Sequence, residues 1–200
     1  MSLPENFIKI IMTRRSIRQF QPKPVAESVL IECLDCARLA PSARNLQPLE
    51  YCLVTEPELV AEIFPLLKWA GYIAPHGNPQ EEHHPTGYLI VSINKELMQS
   101  RHANDTGAAV ENFILAAWAN GIATCWIASV ERVKLRSLLE IPEKFEIDSV
   151  IAFGYPAETP ILETSSEIRY WKDTENVLHV PKKPLSSILH FNRWNIMKGN

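Results

Sequence analysis

The sequence predicts an α+β fold, with a central antiparallel or mixed sheet flanked by helices. Three observations carry this: four short apolar runs of strand character, helical-period segments between them, and one helix with almost no polar face. The chain has 200 residues, 46% hydrophobic and 22% charged, enough to bury a real core as one domain over residues 1–200. Its net charge of −3 argues against a nucleic-acid binder, which needs a broad basic face. The opening "MSLPENFIKIIMTRR" lacks the basic start and apolar centre of a signal peptide, and no apolar run approaches the roughly 20 residues of a membrane span. A cytoplasmic protein is expected.

The first helix is predicted over Pro4–Met12, with Phe7, Ile10 and Ile11 on one face. The basic stretch "MTRRSIRQF" follows and is closed by Pro22 and Pro24. A second helix runs from Ala26 to Leu39 and stops before Pro41, because the residue preceding a proline avoids helical geometry. "PSARNLQP" reads as a loop and "EYCLVT" as a strand. Pro57 suits the first turn of a third helix, whose Leu59, Val60, Ile63, Phe64 and Leu67 form an apolar stripe. A loop carrying His76, His83 and His84 then leads into the strand "GYLIVSIN".

"DTGAAVENFILAAWANG" is the helix without a polar face, capped by Asp105 or Thr106 and ended by Asn120–Gly121. Such a helix is expected to be buried on all sides, at the centre of the domain or in a core shared by two subunits. A strand "ATCWIAS", a short helix "VERVKLRSLL" and a buried strand "DSVIAFGYP" complete the compact part. Residues 158–200 read as an arm wrapping a neighbouring subunit.

Cys33 and Cys36 form a C-x-x-C inside the second helix, with no second ligand pair in the chain, so they are read as packing residues and no metal is expected. The basic stretch is different. Arg14, Arg15 and Arg18 crowd around Ser16 in an acidic chain that lacks both G-x-G-x-x-G and the P-loop pattern. In an extended chain Arg14, Ser16 and Arg18 share a face while Ile17 turns to the core. Two guanidinium forks and a hydroxyl on one side suit a dianion such as a phosphate.

"RRSIRQF", "APSARNLQP", "AVENFILAAWANGIATCWI" and "VIAFGYPAETP" occur in the order seen in the nitroreductase family, which this chain resembles over about Arg14 to Pro160. The resemblance implies an intertwined homodimer that binds FMN and takes electrons from NAD(P)H for a small acceptor, by a ping-pong mechanism. It implies that Arg14 and Ser16 hold the phosphate, that Arg15 meets the pyrimidine edge through its backbone, and that Arg18 stands near the N1–O2 edge. Pro41, Ser42, Ala43 and Asn45 match the loop that reaches the flavin from the partner chain. Ile127 and Ala128 match the backbone near N5 and O4, and Arg169 matches a second phosphate cation. No side chain is assigned as a catalytic acid or base. Ala43 replaces a frequent serine, Leu49 replaces a frequent aromatic, and the pyrimidine-ring asparagine and lysine have no aligned partner near "KWAGYIAPHGN". A flavin-fragmenting or dehalogenating member, and a flavin-sequestering protein with little turnover, are the alternatives.

Overall fold

A computed structural model describes residues 3–97 and 103–194 of the chain. These residues form two compact units, 1–158 and 159–200, divided after Glu158.

The first unit holds helices α1 (Leu3–Thr13), α2 (Glu27–Arg38), α3 (Pro57–Ile63), α4 (Ala103–Ala119) and α5 (Arg132–Leu138). Its strands are β1 (Leu49–Val54), β2 (Gly87–Asn94), β3 (Ala123–Ile127) and β4 (Phe145–Gly154), in the order β1-β2-β4-β3 with every neighbouring pair antiparallel. The four predicted strands are therefore these four. β2 is buried along all its length, which is why its sequence is continuously apolar and not alternating. The α2–α4 pair covers one sheet face, where Leu30, Cys33, Val110, Phe113 and Ala117 pack on Leu89, Val91, Ile151 and Phe153. Each fully buried large side chain in such a layer contributes roughly 1.5–3 kcal/mol.

Two predicted helices differ in detail. The stripe from Leu59 to Leu67 is not one helix: α3 ends at Ile63 and the chain tightens into a 3-10 turn over Phe64–Leu66. Pro65 causes the change, since it has no N–H for an α-helical bond and its ring crowds the preceding turn. α4 starts at Ala103, so Asp105 and Thr106 lie inside its first turn and neither caps it. Its C-terminus is as expected, with Gly121 at φ 72° and the Ile122 N–H donating to the Ala117 carbonyl at 2.9 Å. Nor is α4 buried all round in this chain. Asp105, Thr106, Ala109, Val110, Phe113, Ile114 and Ala117 are buried, whereas Ala108, Glu111, Asn112, Leu115, Ala116 and Trp118 are only half covered.

The second unit is a small sheet of β5 (Ile161–Thr164), β6 (Trp171–Lys172) and β7 (Leu178–Lys182), ordered β5-β7-β6 with β5 parallel and β6 antiparallel to β7. His179 is its polar knot: Nδ1 meets Glu163 Oε1 at 2.7 Å, Nε2 meets Asp173 Oδ2 at 3.1 Å, and the Trp171 ring stacks on the imidazole at 4.2 Å. The sequence reading of an arm did not anticipate this sheet; residues 195–200 of that arm lie outside the described residues.

Candidate functional site

The basic stretch is laid along the free edge of the sheet. Ser16 forms a parallel bridge with Thr124 of β3, and the Ile17 N–H donates to the Thr124 carbonyl at 3.0 Å. Further on, Phe20 bridges Pro156 in antiparallel sense. Ile17 is 1% exposed and Phe20 is fully buried, so this pairing is fixed from beneath by apolar packing. The carboxylate of Glu158 accepts the backbone N–H groups of Arg18 and of Gln19, the latter at 3.2 Å. An extended chain with its inner face in the core and its amides satisfied is a rigid platform for side chains.

The three guanidinium groups leave that platform in different directions. Arg14 meets Glu111 of α4 at 3.6 Å. Arg15 turns back on α1 and donates to the carbonyls of Arg14 and Met12, where it meets the negative end of the helix. Arg18 donates to the thiol of Cys125, the β3 residue beside Thr124. Burial raises the Cys125 pKa and the Arg18 charge opposes that rise, so the thiol stays protonated at neutral pH. The shared face expected for Arg14, Ser16 and Arg18 is thus modified: Ile17 points inward as predicted, but each arginine has its own partner.

Ile127 ends β3, is 5% exposed, and hands over to the exposed Ala128. Arg132 of α5 holds this turn by donating to the carbonyls of Ala128, Ile147 and Asp148 at 3.0, 2.8 and 2.7 Å. The segment left unassigned by the sequence begins here as well: the Lys68 N–H donates to the Ser129 carbonyl at 3.0 Å, and Leu67 bridges Val130. So Arg14 to Arg18, Ile127, Ala128 and Lys68 all gather around one strand.

Pro41, Ser42, Ala43 and Asn45 form a separate loop after α2. It carries positive φ at Arg44 (56°), Asn45 (56°) and Gln47 (47°), a left-handed geometry that non-glycine residues adopt at a cost. Two side chains hold it. Ser42 Oγ accepts the Gln47 N–H at 3.0 Å, and both carboxylate oxygens of Asp105 accept the Ala43 N–H at 3.1 Å. Both this loop and the basic stretch touch α4, at Asp105 and Glu111, about two turns apart. Arg169 lies in the second unit between β5 and β6 and is exposed.

The remaining candidates are structural. Cys33 is fully buried on α2, its thiol pushed up to about 11 by burial and then by Cys36 and Glu32; all four cysteines are free. Among the described residues no group of His, Cys, Asp or Glu is arranged to hold a metal. The histidine loop is anchored to the basic stretch, since His83 Nδ1 meets the Phe20 carbonyl and the Phe20 N–H donates to the His83 carbonyl, both at 3.0 Å. No described helix is long and apolar enough to cross a membrane. The sequence does not mark Asp105, Arg132 and Glu158 as site residues, because most of their partners are backbone groups far along the chain.

Residues 11–155 match the profile of the Nitroreductase family. The chain belongs to the nitroreductase family. A protein of Archaeoglobus fulgidus named "Putative NADH dehydrogenase/NAD(P)H nitroreductase" is 32% identical to this nitroreductase-family chain over 161 residues, covering 77% of it and 87% of the relative. Among solved structures, the "FMN-dependent Nitroreductase" of Clostridium difficile R20291 superposes with a TM-score of 0.69 at 22% identity, over 94% of this chain and 99% of that one. The "NADPH:FMN oxidoreductase from Vibrio harveyi complexed with NAD+" gives 0.67 at 20% identity, over 96% and 79%. At these identities the structures establish the nitroreductase fold.

Proposed function

We propose that this chain is an FMN-dependent oxidoreductase that uses NAD(P)H to reduce small acceptors such as nitroaromatics or quinones, as a cytoplasmic homodimer. The observation that carries the reading is the bridge between Ser16 and Thr124, which sets the basic stretch beside Ile127 and Ala128. Family membership and the names of its relatives support it.

The residues present fit such a group. Arg14, at 26% side-chain exposure, retains donors beyond its contact with Glu111, and the Ser16 hydroxyl stands on the same stretch. These two would hold the phosphate. FMN, when bound, supplies the two-electron chemistry between nicotinamide and acceptor. Arg18, beside Cys125, would stabilise negative charge at the pyrimidine edge. Arg15 would contribute its backbone. Arg132 positions the Ala128 turn, and Asp105 positions the loop of Pro41, Ser42, Ala43 and Asn45, which the reading places in the partner's site.

The dimer is supported by the half-covered face of α4 and by α1, where Phe7, Ile8, Ile11 and Met12 are 57%, 59%, 44% and 62% exposed. Residues 158–200 would then serve as the arm between subunits.

The test is direct. The purified protein should be yellow and release FMN, not FAD, on heating, and Arg14→Ala should give a folded, flavin-poor protein. Steady-state kinetics should give parallel double-reciprocal lines if nicotinamide and acceptor use one cavity in turn. Full FMN retention by Arg14→Ala would overturn the phosphate assignment, and a stable monomer in sedimentation would overturn the dimer.

A further inference from the structure

Trp126 breaks the burial pattern of β3. Every other residue of that strand is buried, whereas Trp126 is 42% exposed. Its indole is nevertheless tethered. The ring N–H donates to the Ser149 hydroxyl at 2.7 Å, and that hydroxyl donates to Asp148 Oδ2 at 2.7 Å. Ser149 is fully buried, so a hydroxyl withdrawn from water finds its partners in fixing this one ring. Arg132 steadies the backbone behind it through the Asp148 carbonyl at 2.7 Å. A ring with its polar end held and much of its surface open is a preorganised flat apolar surface.

The strand register says where that surface lies. Residues directly opposite in an antiparallel ladder share a face of the sheet. Trp126 is opposite Ile151 and Thr124 is opposite Phe153, both of which pack against α2 and α4. Ser16 bridges Thr124 and so stands on that face, and Arg14 reaches Glu111 of α4 on the same side. Thr124 and Trp126 are two residues apart, about 7 Å along the strand. A guanidinium and a hydroxyl therefore stand a short linker's length from a tethered aromatic ring. That combination suits a planar aromatic joined to a phosphate.

We infer that Trp126 supplies a stacking surface for the isoalloxazine ring of FMN, and that Ser149 and Asp148 are the positioning residues that hold it. This role rests on the flavin reading, and adds to it a ring contact made by a side chain and a hydrogen-bonded pair acting from behind.

Equilibrium dialysis of the full-length protein against FMN, riboflavin and inorganic phosphate tests the role. Trp126→Ala should bind FMN and riboflavin roughly 5- to 150-fold more weakly and phosphate unchanged. Arg14→Ala should show the reverse split, losing phosphate and FMN but not riboflavin. Ser149→Ala should weaken FMN about two- to tenfold, and should add no loss in Trp126→Phe, which has no ring N–H to hold. That cycle decides the matter even if Trp126→Ala does not fold. FMN held as tightly by Trp126→Ala as by the parent, or an equal loss of phosphate, would overturn the stacking role alone. A Ser149→Ala loss as large in Trp126→Phe as in the parent would overturn the positioning role. Failure of the parent protein to bind FMN would remove the flavin reading and this role together.

Discussion

The carboxylate of Asp105 accepts the Ala43 N–H with both of its oxygens, at 3.1 Å each, from a position 4% exposed on the first turn of α4. A buried charge-assisted bond to a backbone amide is the kind that costs most when one partner is removed, and here it holds a loop with three residues in left-handed geometry. Asp105→Ala should therefore destabilise the protein by about 1.5–3 kcal/mol, and Asp105→Asn, which keeps one acceptor, by less. Urea denaturation of the three proteins checks the order.

Gly87 stands where a side chain has no room. A Cβ there would lie 2.3 Å from the Phe153 ring and 2.8 Å from the Val54 carbonyl oxygen, and backbone cannot yield cheaply. Gly87→Ala should cost about 1–3 kcal/mol through overpacking between β1, β2 and β4, again read from urea midpoints. An unchanged midpoint would mean that the sheet gives way more readily than its geometry implies.

The second unit should have a stability window with two edges. The His179 pKa is raised by its bonds to Asp173 and then to Glu163, so its contribution is complete below the unfolded value of about 6.5 and is lost as pH rises through the raised one. The Asp173 pKa is lowered, chiefly by His179, so its contribution is present above the unfolded value of about 3.8 and is lost as pH falls through the lowered one. Trp171, stacked on the imidazole, reports both edges by fluorescence in partial denaturant. His179→Gln should flatten the alkaline edge.

Thiol chemistry should follow burial. Cys33 is fully buried with its thiol pushed up to about 11, and Cys125 is 3% exposed beneath Arg18, whereas Cys36 and Cys52 are half-buried. Native-state alkylation at pH 8 should modify Cys36 and Cys52 before Cys33 and Cys125, as peptide mass spectrometry would show. Replacing Cys33 and Cys36 by Ala should lower stability and leave any turnover intact, since neither thiol reaches the site.

Much of the first unit is legible because its signals are local. The unbroken apolar run of β2 gives that strand residue for residue as Gly87–Asn94, and Asn120–Gly121 marks the end of α4. The limit of α3 is legible too, because Pro65 stands inside the apolar stripe and overrides its helical period. What could not be read locally is side-chain direction along the basic stretch. Arg15 turns to helix carbonyls, Arg14 to Glu111 and Arg18 to Cys125, choices made by neighbours brought in by tertiary packing. The small sheet was invisible for another reason: β6 has two residues, too short for any periodicity, and its knot at His179 is made by residues from three separate segments.

The contact between the Arg18 amide and the Glu158 carboxylate spans 140 residues of chain. At a synthesis rate of about 5–20 residues per second, that carboxylate follows Arg18 by roughly 7–28 s. Through most of that interval Thr124, against which Ser16 is paired, does not yet exist either. The backbone of Ser16 to Gln19 is thus made well before the residues that hold it in place. A nascent chain that has not yet reached Glu158 has no complete cradle to offer, so any phosphorylated molecule held by this stretch is acquired only after that residue has been made and folded back.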